Sequence, residues 1–382
     1  MPTDTFDLMD DWGPEKVVCV SDRKTGMRGV LVIDNSARGM GKGGTRMSPT
    51  LTVREVARLA RTMTWKWAAV DLFHGGAKAG ILGDPNAADK EDVLRAFARA
   101  LANEVPDEYV FGLDMGLTEK DAAIFADELG RGAAVGLPSA LGGLPYDELG
   151  VTGYGVAEAA DAAAQAIDLP ITATRVAIQG FGAVGQAAAE RLVELGAVVV
   201  AVSTATGAVV DPDGLDVARL VALRAELGDD CVHAYGGAVA ASAALTIDAQ
   251  ILIPAAREDV IDKDLATTTS AALIVEGANL PTTPAALEVL HERGVAVVPD
   301  FIANAGGIIA AAHSMDARHS PFPVDPGTVF AMISRKMRQN AETVLSESRR
   351  RGLAPHIAAH EIAEDRVREA MRLRGQLRAV GV

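Results

Sequence analysis

Three lysines lie close together in an apolar stretch near the start of the chain. Lys42 precedes two glycines, Lys66 follows in a hydrophobic segment, and Lys78 sits within the glycine-rich residues 75–80, which we expect to form a turn. Glycines leave little bulk around a lysine, so a ligand can approach it, and partial burial would lower its pKa toward the working pH. One such lysine could be solvated in a surface turn, but three together favour a site that exchanges protons with a substrate.

The size, composition and charge of the chain limit the kinds of site that these lysines can form. Its 382 residues predict two domains, and 49% hydrophobic with 23% charged residues are typical of a soluble globular protein. The net charge of −15 argues against nucleic acid as a partner, so an anionic ligand would need a local basic pocket. The two cysteines, Cys19 and Cys231, belong to no metal-binding pattern, and we expect neither a disulfide framework nor a metal site.

The beginning of the chain gives no sign of export or membrane attachment. Residues 1–13 are acidic and carry neither a basic leader nor an apolar signal segment. No stretch reaches the ~18 uncharged apolar residues of a membrane span. We therefore expect a cytoplasmic protein without a membrane partner.

The first half of the chain mixes strand and helix patterns. Apolar runs on either side of a polar turn predict a β-hairpin over residues 17–33. Lys66 would lie in the last turn of a helix, where the helix dipole favours a cation, and Thr118 would cap another helix. The helices predicted from apolar residues at three-to-four spacing are 53–69, 93–101 and 118–129.

The second half follows the alternating pattern of a parallel sheet. The apolar strand 175–179 is followed by a GxGxxG loop, a helix and a second strand at 197–202. In such a loop the first glycine permits a tight turn, the second lets the backbone approach a pyrophosphate, and the third allows the helix to pack closely on the strand. Apolar runs at 251–253, 273–275 and 295–298 extend the pattern to a doubly wound sheet. The candidate cofactor-binding residues of the loop are Gly180, Phe181, Gly182, Ala183, Val184 and Gly185.

The residues after the second strand leave the choice of cofactor open. An acidic residue there usually marks NAD, because it bonds to the ribose hydroxyls, but residues 202–207 contain neither an acid nor a base. Ser203 or Thr204 could bind either a ribose hydroxyl or a phosphate. The sequence therefore predicts NAD or NADP without deciding between them.

A run rich in glycine and proline at 137–146 marks the boundary between the two halves. From residue 329 onward the pattern is helical and strongly charged, without a further strand, and we expect this segment to pack back on the first domain. The predicted domains are 1–149 and 150–330, and the C-terminal helices 331–382 would pack on the first of them.

These segments together resemble the family of amino acid dehydrogenases that includes the glutamate, leucine, phenylalanine and valine enzymes. The resemblance extends from about Gly29 to Ala370 and includes the spacing of twelve positions between Lys66 and Lys78. It implies an N-terminal α/β domain for substrate binding and oligomerisation, a Rossmann-like doubly wound dinucleotide-binding domain, and C-terminal helices that return to the first domain. The matching motifs are Lys42-Gly43-Gly44-Thr45-Arg46-Met47, Met63-Thr64-Trp65-Lys66, Gly75-Gly76-Ala77-Lys78, Gly112-Leu113-Asp114-Met115-Gly116, Thr152-Gly153-Tyr154-Gly155, the GxGxxG loop, Glu276-Gly277-Ala278-Asn279 and Asn304-Ala305-Gly306-Gly307.

The resemblance implies a role for each matched side chain. Lys78 would be the catalytic lysine, which polarises the carbonyl or activates water, and Asp114 would carry protons to and from the amino group. Lys66 would bind the substrate α-carboxylate, and Gly76 would contact the substrate beside it. The residues expected around the nicotinamide and the substrate are Thr152, Asn279 and Asn304. Taken alone, Asp114 and Thr152 could instead be helix caps and the two asparagines turn residues.

Lys42 and Ala311 give opposite indications about the substrate side chain. The glutamate enzymes resemble this chain in carrying a lysine before the two glycines, which reaches the side-chain carboxylate, whereas the leucine and phenylalanine enzymes carry an apolar residue. The glutamate enzymes also use a hydroxyl at the position where this chain has Ala311. Because an unpaired buried lysine is costly, we expect glutamate, whereas a Lys42 solvated at the cleft rim would fit leucine or valine.

The expected function is the reversible NAD- or NADP-dependent oxidative deamination of an L-amino acid, first of all glutamate, to the 2-oxo acid and ammonia. A leucine, valine or phenylalanine enzyme is one alternative, and a paralogue that binds nucleotide without catalysis is another. The resemblance also implies a homo-oligomer, with a hexamer favoured.

Overall fold

The computed structural model describes residues 4–144 and 149–377 and divides the chain into two compact units. Unit 1 comprises Met1–Pro145, Ala311–Pro326 and Ile362–Val382, and unit 2 comprises Tyr146–Ala310 and Gly327–Glu361. The first boundary lies close to the expected one, but residues 327–361 cluster with unit 2 instead of with the first domain. None of the helices in the described ranges has both the length and the apolar composition that crossing a bilayer requires.

Unit 1 is built around a mixed six-stranded sheet. Its strands are β1 (Lys16–Ser21), β2 (Arg28–Asn35), β3 (Gly41–Lys42), β4 (Thr45–Ser48), β5 (Gly75–Leu82) and β6 (Tyr109–Val110). The predicted hairpin is confirmed as the antiparallel pair β1 and β2. The sheet continues from β2 through β5 to β3 and β6, and β4 also pairs with β5. β3 lies between β5 and β6 and runs parallel to both, and β4 also runs parallel to β5. The carboxyl ends of these strands therefore point to the same edge of the sheet.

The three helices predicted in this half are confirmed. They are α1 (Val53–Ala69), α2 (Lys90–Ala100) and α3 (Glu119–Leu129). Thr52 caps α1 through its hydroxyl, which accepts a hydrogen bond from the Glu55 N–H at 3.2 Å. Thr118 is the N-cap of α3, as predicted, and Asp121 completes the cap by accepting its backbone N–H at 2.7 Å.

Residues 75–80 form part of a buried strand, which corrects the turn expected from their glycines. This strand, β5, pairs with β2 on one side and with β3 and β4 on the other, and α1 packs on it. A Cβ on Gly76 would lie 2.0 Å from the Oγ1 of Thr64, and one on Gly80 would lie 2.5 Å from a methyl carbon of Leu51. The glycines therefore allow close packing of helix on strand.

Unit 2 is built on a second six-stranded sheet, of order β12-β11-β10-β7-β8-β9, in which only β9 is antiparallel to its neighbour. These strands are β7 (Arg175–Gln179), β8 (Val198–Ser203), β9 (Ala208–Val210), β10 (Ile251–Pro254), β11 (Leu273–Val275) and β12 (Ala296–Val298). The predicted doubly wound sheet is thus confirmed. The chain passes from β7 to β8 on one side and later to β10 on the other, and ligands bind where the strand order reverses in this way. The GxGxxG loop follows β7 at that point.

The helices of the second half alternate with its strands and then continue without strands. They are α4 (Val151–Ala166), α5 (Ala183–Glu194), α6 (Val217–Leu227), α7 (Cys231–Tyr235), α8 (Ala243–Thr246), α9 (Lys263–Thr268), α10 (Pro284–Glu292), α11 (Asp300–Ala303), α12 (Gly306–Ala317), α13 (Pro326–Arg351) and α14 (Pro355–Leu373).

A network of charged side chains joins α13 to α4 and explains why α13 clusters with unit 2. The fully buried Glu158 accepts hydrogen bonds from Arg338 at 2.6 Å, Ser334 at 2.7 Å and Arg191 at 2.8 Å. Burial opposes the ionisation of Glu158, but Ser334 and the two arginines outweigh it and lower its pKa. The expected packing of residues 331–351 on the first domain is corrected accordingly.

Candidate active site

Unit 1 brings Lys78 and Asp114 into direct contact. Lys78 projects from β5, and Asp114 follows β6 in a segment held by the Thr45 N–H, which donates to the Gly112 carbonyl at 2.7 Å. The Lys78 Nζ lies 2.8 Å from the Asp114 Oδ2, and 9% of the Lys78 side chain is exposed. An amine and a carboxylate in contact are suited to proton exchange with a substrate. Because Asp121 completes the cap of α3, the alternative of Asp114 as that helix cap does not apply.

Arg46 is a third member of this cluster, and the sequence did not reveal its role. Its Nε donates to the Asp114 Oδ2 at 3.0 Å, and its guanidinium also donates to Glu55 at 2.9 Å. Burial opposes the ionisation of Asp114, but the charges of Lys78 and Arg46 outweigh it and hold the pKa of the carboxyl below its ordinary value. Asp114 is therefore an ionised base at neutral pH. Its partner Arg46 lies in a matched motif, but the contact joins residues too distant in sequence for spacing to show it.

Lys42 is enclosed between two strands beside this pair. In β3 it pairs with Gly76 of β5 on one side and with Val110 of β6 on the other. Only 2% of Lys42 is exposed, and its Nζ donates to the Val110 carbonyl at 3.1 Å. Burial, together with the charges of Lys78 and Arg318, lowers the pKa of Lys42 to about 7. The alternative of Lys42 solvated at a rim is thereby corrected.

The surroundings of Lys42 hold no compensating anion. Both charges that act on it within the described ranges are positive, and no acidic side chain of those ranges forms an ion pair with it. His74 lies against Trp67, with ring centroids 5.0 Å apart. Burial and the charge of Lys42 lower the pKa of His74 to about 4, so this imidazole is neutral at pH 7. The charge of Asp316 acts on His74 and on Arg318 but is not among those that act on Lys42, so the Lys42 ammonium is left without an opposing charge from the described residues.

Helices place the two remaining substrate residues predicted for unit 1. Lys66 lies half-buried in the last turn of α1, as predicted. Ala311 lies within α12 and is also half-buried. Since Ala311 carries no polar side-chain atom, any second contact to a substrate side-chain carboxylate has to come from another residue.

The glycine loop after β7 fits a bound pyrophosphate. Gly180 has a φ of +98°, and a Cβ there would lie 2.6 Å from the Cβ of Ala256. A Cβ on Gly185 would lie 1.8 Å from the Gly180 carbonyl oxygen, whereas one on Gly182 would meet no atom within 4 Å. The open space over Gly182 is where a ligand can approach the backbone, and the N-terminus of α5 begins at the next residue, Ala183. The glycine loop therefore has the geometry that binds the pyrophosphate of NAD or NADP.

A cavity of about 760 Å³ adjoins this loop, and its lining includes Phe181, Ser203 and Thr204. Phe181 is buried, whereas Ala183 and Val184, in the first turn of α5, are exposed and half-buried. The Ser203 Oγ accepts the Gly180 N–H at 3.2 Å, so this hydroxyl holds the glycine loop in place. Both hydroxyl residues considered for the cofactor thus make hydrogen bonds within the protein, Ser203 to the loop and Thr204 to the Asp229 carbonyl.

Arg224 and Asp229 supply the base and the acid that residues 202–207 lack. Both line the same cavity, and they form an ion pair with each other. The Thr204 Oγ1 donates to the backbone carbonyl of Asp229 at 2.8 Å, which places the pair beside the end of β8. They follow β8 by more than twenty positions, so adjacency in sequence gave no signal for them.

The predicted nicotinamide residues come together in unit 2. The Asn304 side-chain amide donates to the Asn279 Oδ1 at 2.8 Å. Thr152 lies in the first turn of α4, whose N-cap is Gly150, and a Cβ on Gly307 would lie 3.2 Å from the Thr152 Oγ1. The Asn304 Oδ1 is buried without a hydrogen-bond partner among the described residues, so it is available to accept one from a ligand.

Comparison with known proteins decides which family has this arrangement. A family model described as glutamate/leucine/phenylalanine/valine dehydrogenase matches residues 142–375. A second model, described as the dimerisation domain of the Glu/Leu/Phe/Val dehydrogenases, matches residues 14–131. The chain belongs to the glutamate/leucine/phenylalanine/valine dehydrogenase family. It is therefore an amino acid dehydrogenase that uses NAD or NADP, as the resemblance implied.

This dehydrogenase is similar to relatives of either cofactor type. An NADP-specific glutamate dehydrogenase of Saccharolobus shibatae is 36% identical over 395 residues, which cover 98% of this chain and 92% of the relative. The NAD-specific glutamate dehydrogenase A of Halobacterium salinarum is 34% identical over 355 residues, covering 89% and 80%. The crystal structure of a hetero-hexameric glutamate dehydrogenase from Thermus thermophilus, in its Leu-bound form, matches with a TM-score of 0.80 at 30% identity and covers 97% of this chain and 92% of that one.

Proposed function

We propose that this dehydrogenase catalyses the reversible oxidative deamination of L-glutamate to 2-oxoglutarate and ammonia. The observation that carries the proposal is the buried Lys42, which no acidic side chain of the described residues neutralises. Every amino acid brings an amino group and an α-carboxylate, but only a dicarboxylic one brings a further anion. The side-chain carboxylate of glutamate would pair with Lys42 and remove the cost of its uncompensated charge.

An aliphatic substrate fits this pocket less well. The side chain of leucine or valine would exclude water from Lys42 without giving its ammonium a partner. The amine would then have to lose its proton or remain as an unpaired buried charge. The names of the relatives above, which are all glutamate dehydrogenases, also support a dicarboxylic substrate.

Lys78 and Asp114 would carry out the proton transfers. In the direction of amino acid oxidation, the Asp114 carboxylate would remove a proton from the substrate amino group, and a nicotinamide held by Asn304, Asn279 and Thr152 would supply the hydride acceptor for the α-carbon. Water then adds to the imine carbon and loses one proton, which the Lys78 amine accepts, so that a neutral carbinolamine forms. Arg46 keeps Asp114 ionised and ready for the next proton. The ammonia leaves after Asp114 returns its proton to the nitrogen. The hydroxyl proton passes to solvent as the carbonyl forms, and Lys78 releases the proton that it took from water.

The remaining predicted residues would bind and orient the reactants. Lys66 would hold the α-carboxylate through a charge-assisted hydrogen bond, and Gly76, which pairs with Lys42 in the sheet, would contact the substrate through its backbone. Asn304, Asn279 and Thr152 would position the nicotinamide end of the cofactor. The glycine loop would bind the pyrophosphate, and the Arg224 side of the cavity would receive the adenosine ribose.

We also propose that the enzyme is a homo-oligomer, with a hexamer as the expected size. The match of residues 14–131 to a dimerisation domain and the similarity to a hetero-hexameric relative support this. Mass photometry of the purified protein at nanomolar concentration tests it. A single species of six chains is expected, and a monomer would contradict the proposal.

Absorbance of the reduced nicotinamide provides the test of the reaction. Purified enzyme is mixed with ammonia, NADH or NADPH, and either 2-oxoglutarate or 2-oxoisocaproate, which is the 2-oxo acid of leucine. Turnover with 2-oxoglutarate at a kcat/KM at least a hundredfold higher is expected. A preference for 2-oxoisocaproate would make the enzyme a leucine-type dehydrogenase, and no turnover with either acid would support a paralogue that binds nucleotide without catalysis.

A further inference from the structure

An arginine at the end of α12 has an unusual environment. The Arg318 N–H donates to the Ser314 carbonyl at 3.0 Å, so the helical hydrogen bonding extends to this residue. One terminal nitrogen of its guanidinium donates to the Met315 carbonyl at 2.7 Å. Its Nε is buried and has no hydrogen-bond partner among the described residues. Buried N–H groups of this kind are normally satisfied, so this donor is available for an acceptor from a ligand.

Contacts of α12 place Arg318 near Lys42. Met315 is buried in a cluster with Val110 and Val135 of unit 1. The Val110 carbonyl is the group that accepts the Lys42 Nζ. Arg318 hydrogen-bonds to the carbonyl of Met315, and its charge is one of the two that act on Lys42. Lys42 and Arg318 therefore contribute positive charge to one part of unit 1, where Asp316 acts on Arg318 with the opposite charge.

Helix spacing places Arg318 on the same face as Ala311. The two residues are seven positions apart, which is nearly two turns of 3.6 residues, so they lie on the same face of the helix. Side chains on a helix lean toward its N-terminus, and the long arginine stem lets the guanidinium cover the turn that precedes its own Cα. Arg318 and Ala311 therefore share one face of the helix, and Ser314, whose Oγ is buried without a hydrogen-bond partner among the described residues, lies between them on that face.

We propose that Arg318 is the second contact for the distal carboxylate of the substrate and acts together with Lys42. The inference rests on the proposed function, because it assumes a dicarboxylic substrate. A carboxylate has two oxygens with several acceptor positions, so one ammonium and one guanidinium can bind it at once. In this chain an arginine and a lysine would bind the distal carboxylate, in place of the lysine and hydroxyl that the resemblance implies for the glutamate enzymes.

The decisive comparison uses 2-oxoglutarate and 2-oxopentanoate, which has the same carbon chain without the distal carboxylate. Arg318→Gln is expected to raise the KM for 2-oxoglutarate roughly ten- to hundredfold, the range for a lost hydrogen bond to a charged group. The KM values for 2-oxopentanoate and for the cofactor should stay unchanged. Arg318→Lys keeps the charge without the fork of donors, and its KM for 2-oxoglutarate should lie between those of the wild type and the glutamine variant.

Arg131 offers a matched control, because it lines the same small cavity as Arg318 but is not among the charges that act on Lys42. Arg131→Gln should behave as the wild type does with both acids. Adding Ala311→Ser to the Arg318→Gln variant supplies a hydroxyl on the same helix face, and it should recover part of the lost affinity for 2-oxoglutarate.

The wild-type and variant measurements answer separate questions. A wild-type enzyme that does not prefer 2-oxoglutarate over 2-oxopentanoate would refute the glutamate proposal. A wild-type enzyme with that preference, accompanied by an Arg318→Gln variant that retains it in full, would refute the role of Arg318 alone. Activity of the variant with 2-oxopentanoate shows that its fold and catalytic residues are intact.

Discussion

Lys42 should take up a proton when a dicarboxylate binds. Its pKa in the free protein is about 7, because burial and the charges of Lys78 and Arg318 disfavour its ammonium form. Only the protonated amine attracts a carboxylate, so binding selects that form and raises the pKa in the complex. From this pKa, binding should take up about 0.5 proton at pH 7 and about 0.9 proton at pH 8.

Glutarate is a suitable ligand, because it carries both carboxylates and cannot react. Isothermal titration calorimetry in two buffers of different ionisation enthalpy, at each pH, gives the number of protons exchanged. The affinity should also fall about fivefold from pH 7 to pH 8, as the fraction of protonated Lys42 in the free protein falls. Pentanoate, which lacks one carboxylate, and the variant Lys42→Met serve as controls and should show neither effect.

The same calorimetric data would show whether a group other than Lys42 takes up the proton. His74 has a pKa of about 4 and is neutral throughout this pH range, so its protonation is not expected to contribute. Glutarate binding by the wild type without proton uptake, or with the same uptake in Lys42→Met, would refute the assignment of this titration to Lys42. Equal uptake with pentanoate would refute its link to the distal carboxylate.

Four further predictions test other parts of the structure. Arg46→Gln should raise the pKa of Asp114, so the acid limb of the kcat/KM profile should move to higher pH; an unmoved limb would contradict the role of Arg46. Gly182→Ala should leave the melting temperature within about 1 °C and weaken NAD(P)H binding at least tenfold by fluorescence titration, since its Cβ would meet only ligand. Arg224→Gln should weaken binding of 2′,5′-ADP more than that of 5′-AMP, and an unchanged ratio would exclude contact with the 2′-phosphate. Lys42→Met should stabilise the free protein by on the order of 4 kcal/mol at pH 7. The unfolded lysine, with an ordinary pKa of 10.5, binds more protons than the folded one above pH 7. Wild-type stability therefore rises with pH, and the advantage of the variant in urea unfolding should shrink from pH 7 to pH 10.

The parts of the fold that the sequence predicted are those with strong local signals. Parallel strands are buried on both faces and therefore appear in the sequence as short apolar runs. The three glycines after β7 permit a tight turn, the approach of a pyrophosphate and close helix packing, and few other structures require glycine at this spacing. Residues 75–80 misled because glycine marks turns and close packing alike, and only the packing of α1 on β5 distinguishes the two. The motif could therefore name Lys78 without giving the element that carries it.

Long-range contacts account for what the sequence did not show. Glu158 and Arg338, which hold α13 to α4, are 180 positions apart, and no pattern within either helix indicates the pairing. Arg46 was likewise unassigned, since its partner Asp114 comes from another element. Arg224 was unassigned because the end of β8, beside which it lies, is more than twenty positions earlier in the chain. Predicting a side-chain role requires the tertiary neighbours, whereas predicting a strand or a loop requires a few residues.

The buried Lys42 is better explained by selectivity than by stability. In the free protein its position costs folding free energy, since its neighbours Lys78 and Arg318 add repulsion to desolvation. A hydrophobic residue of similar size would pack there without that cost. A protein of net charge −15 also repels dianions in solution, so a concentrated positive site is needed to hold one. The free energy that a dicarboxylate gains by neutralising this cluster is not available to an aliphatic acid, which would leave the charges unpaired. The same electrostatic repulsion that destabilises the free enzyme thus provides its discrimination between substrates.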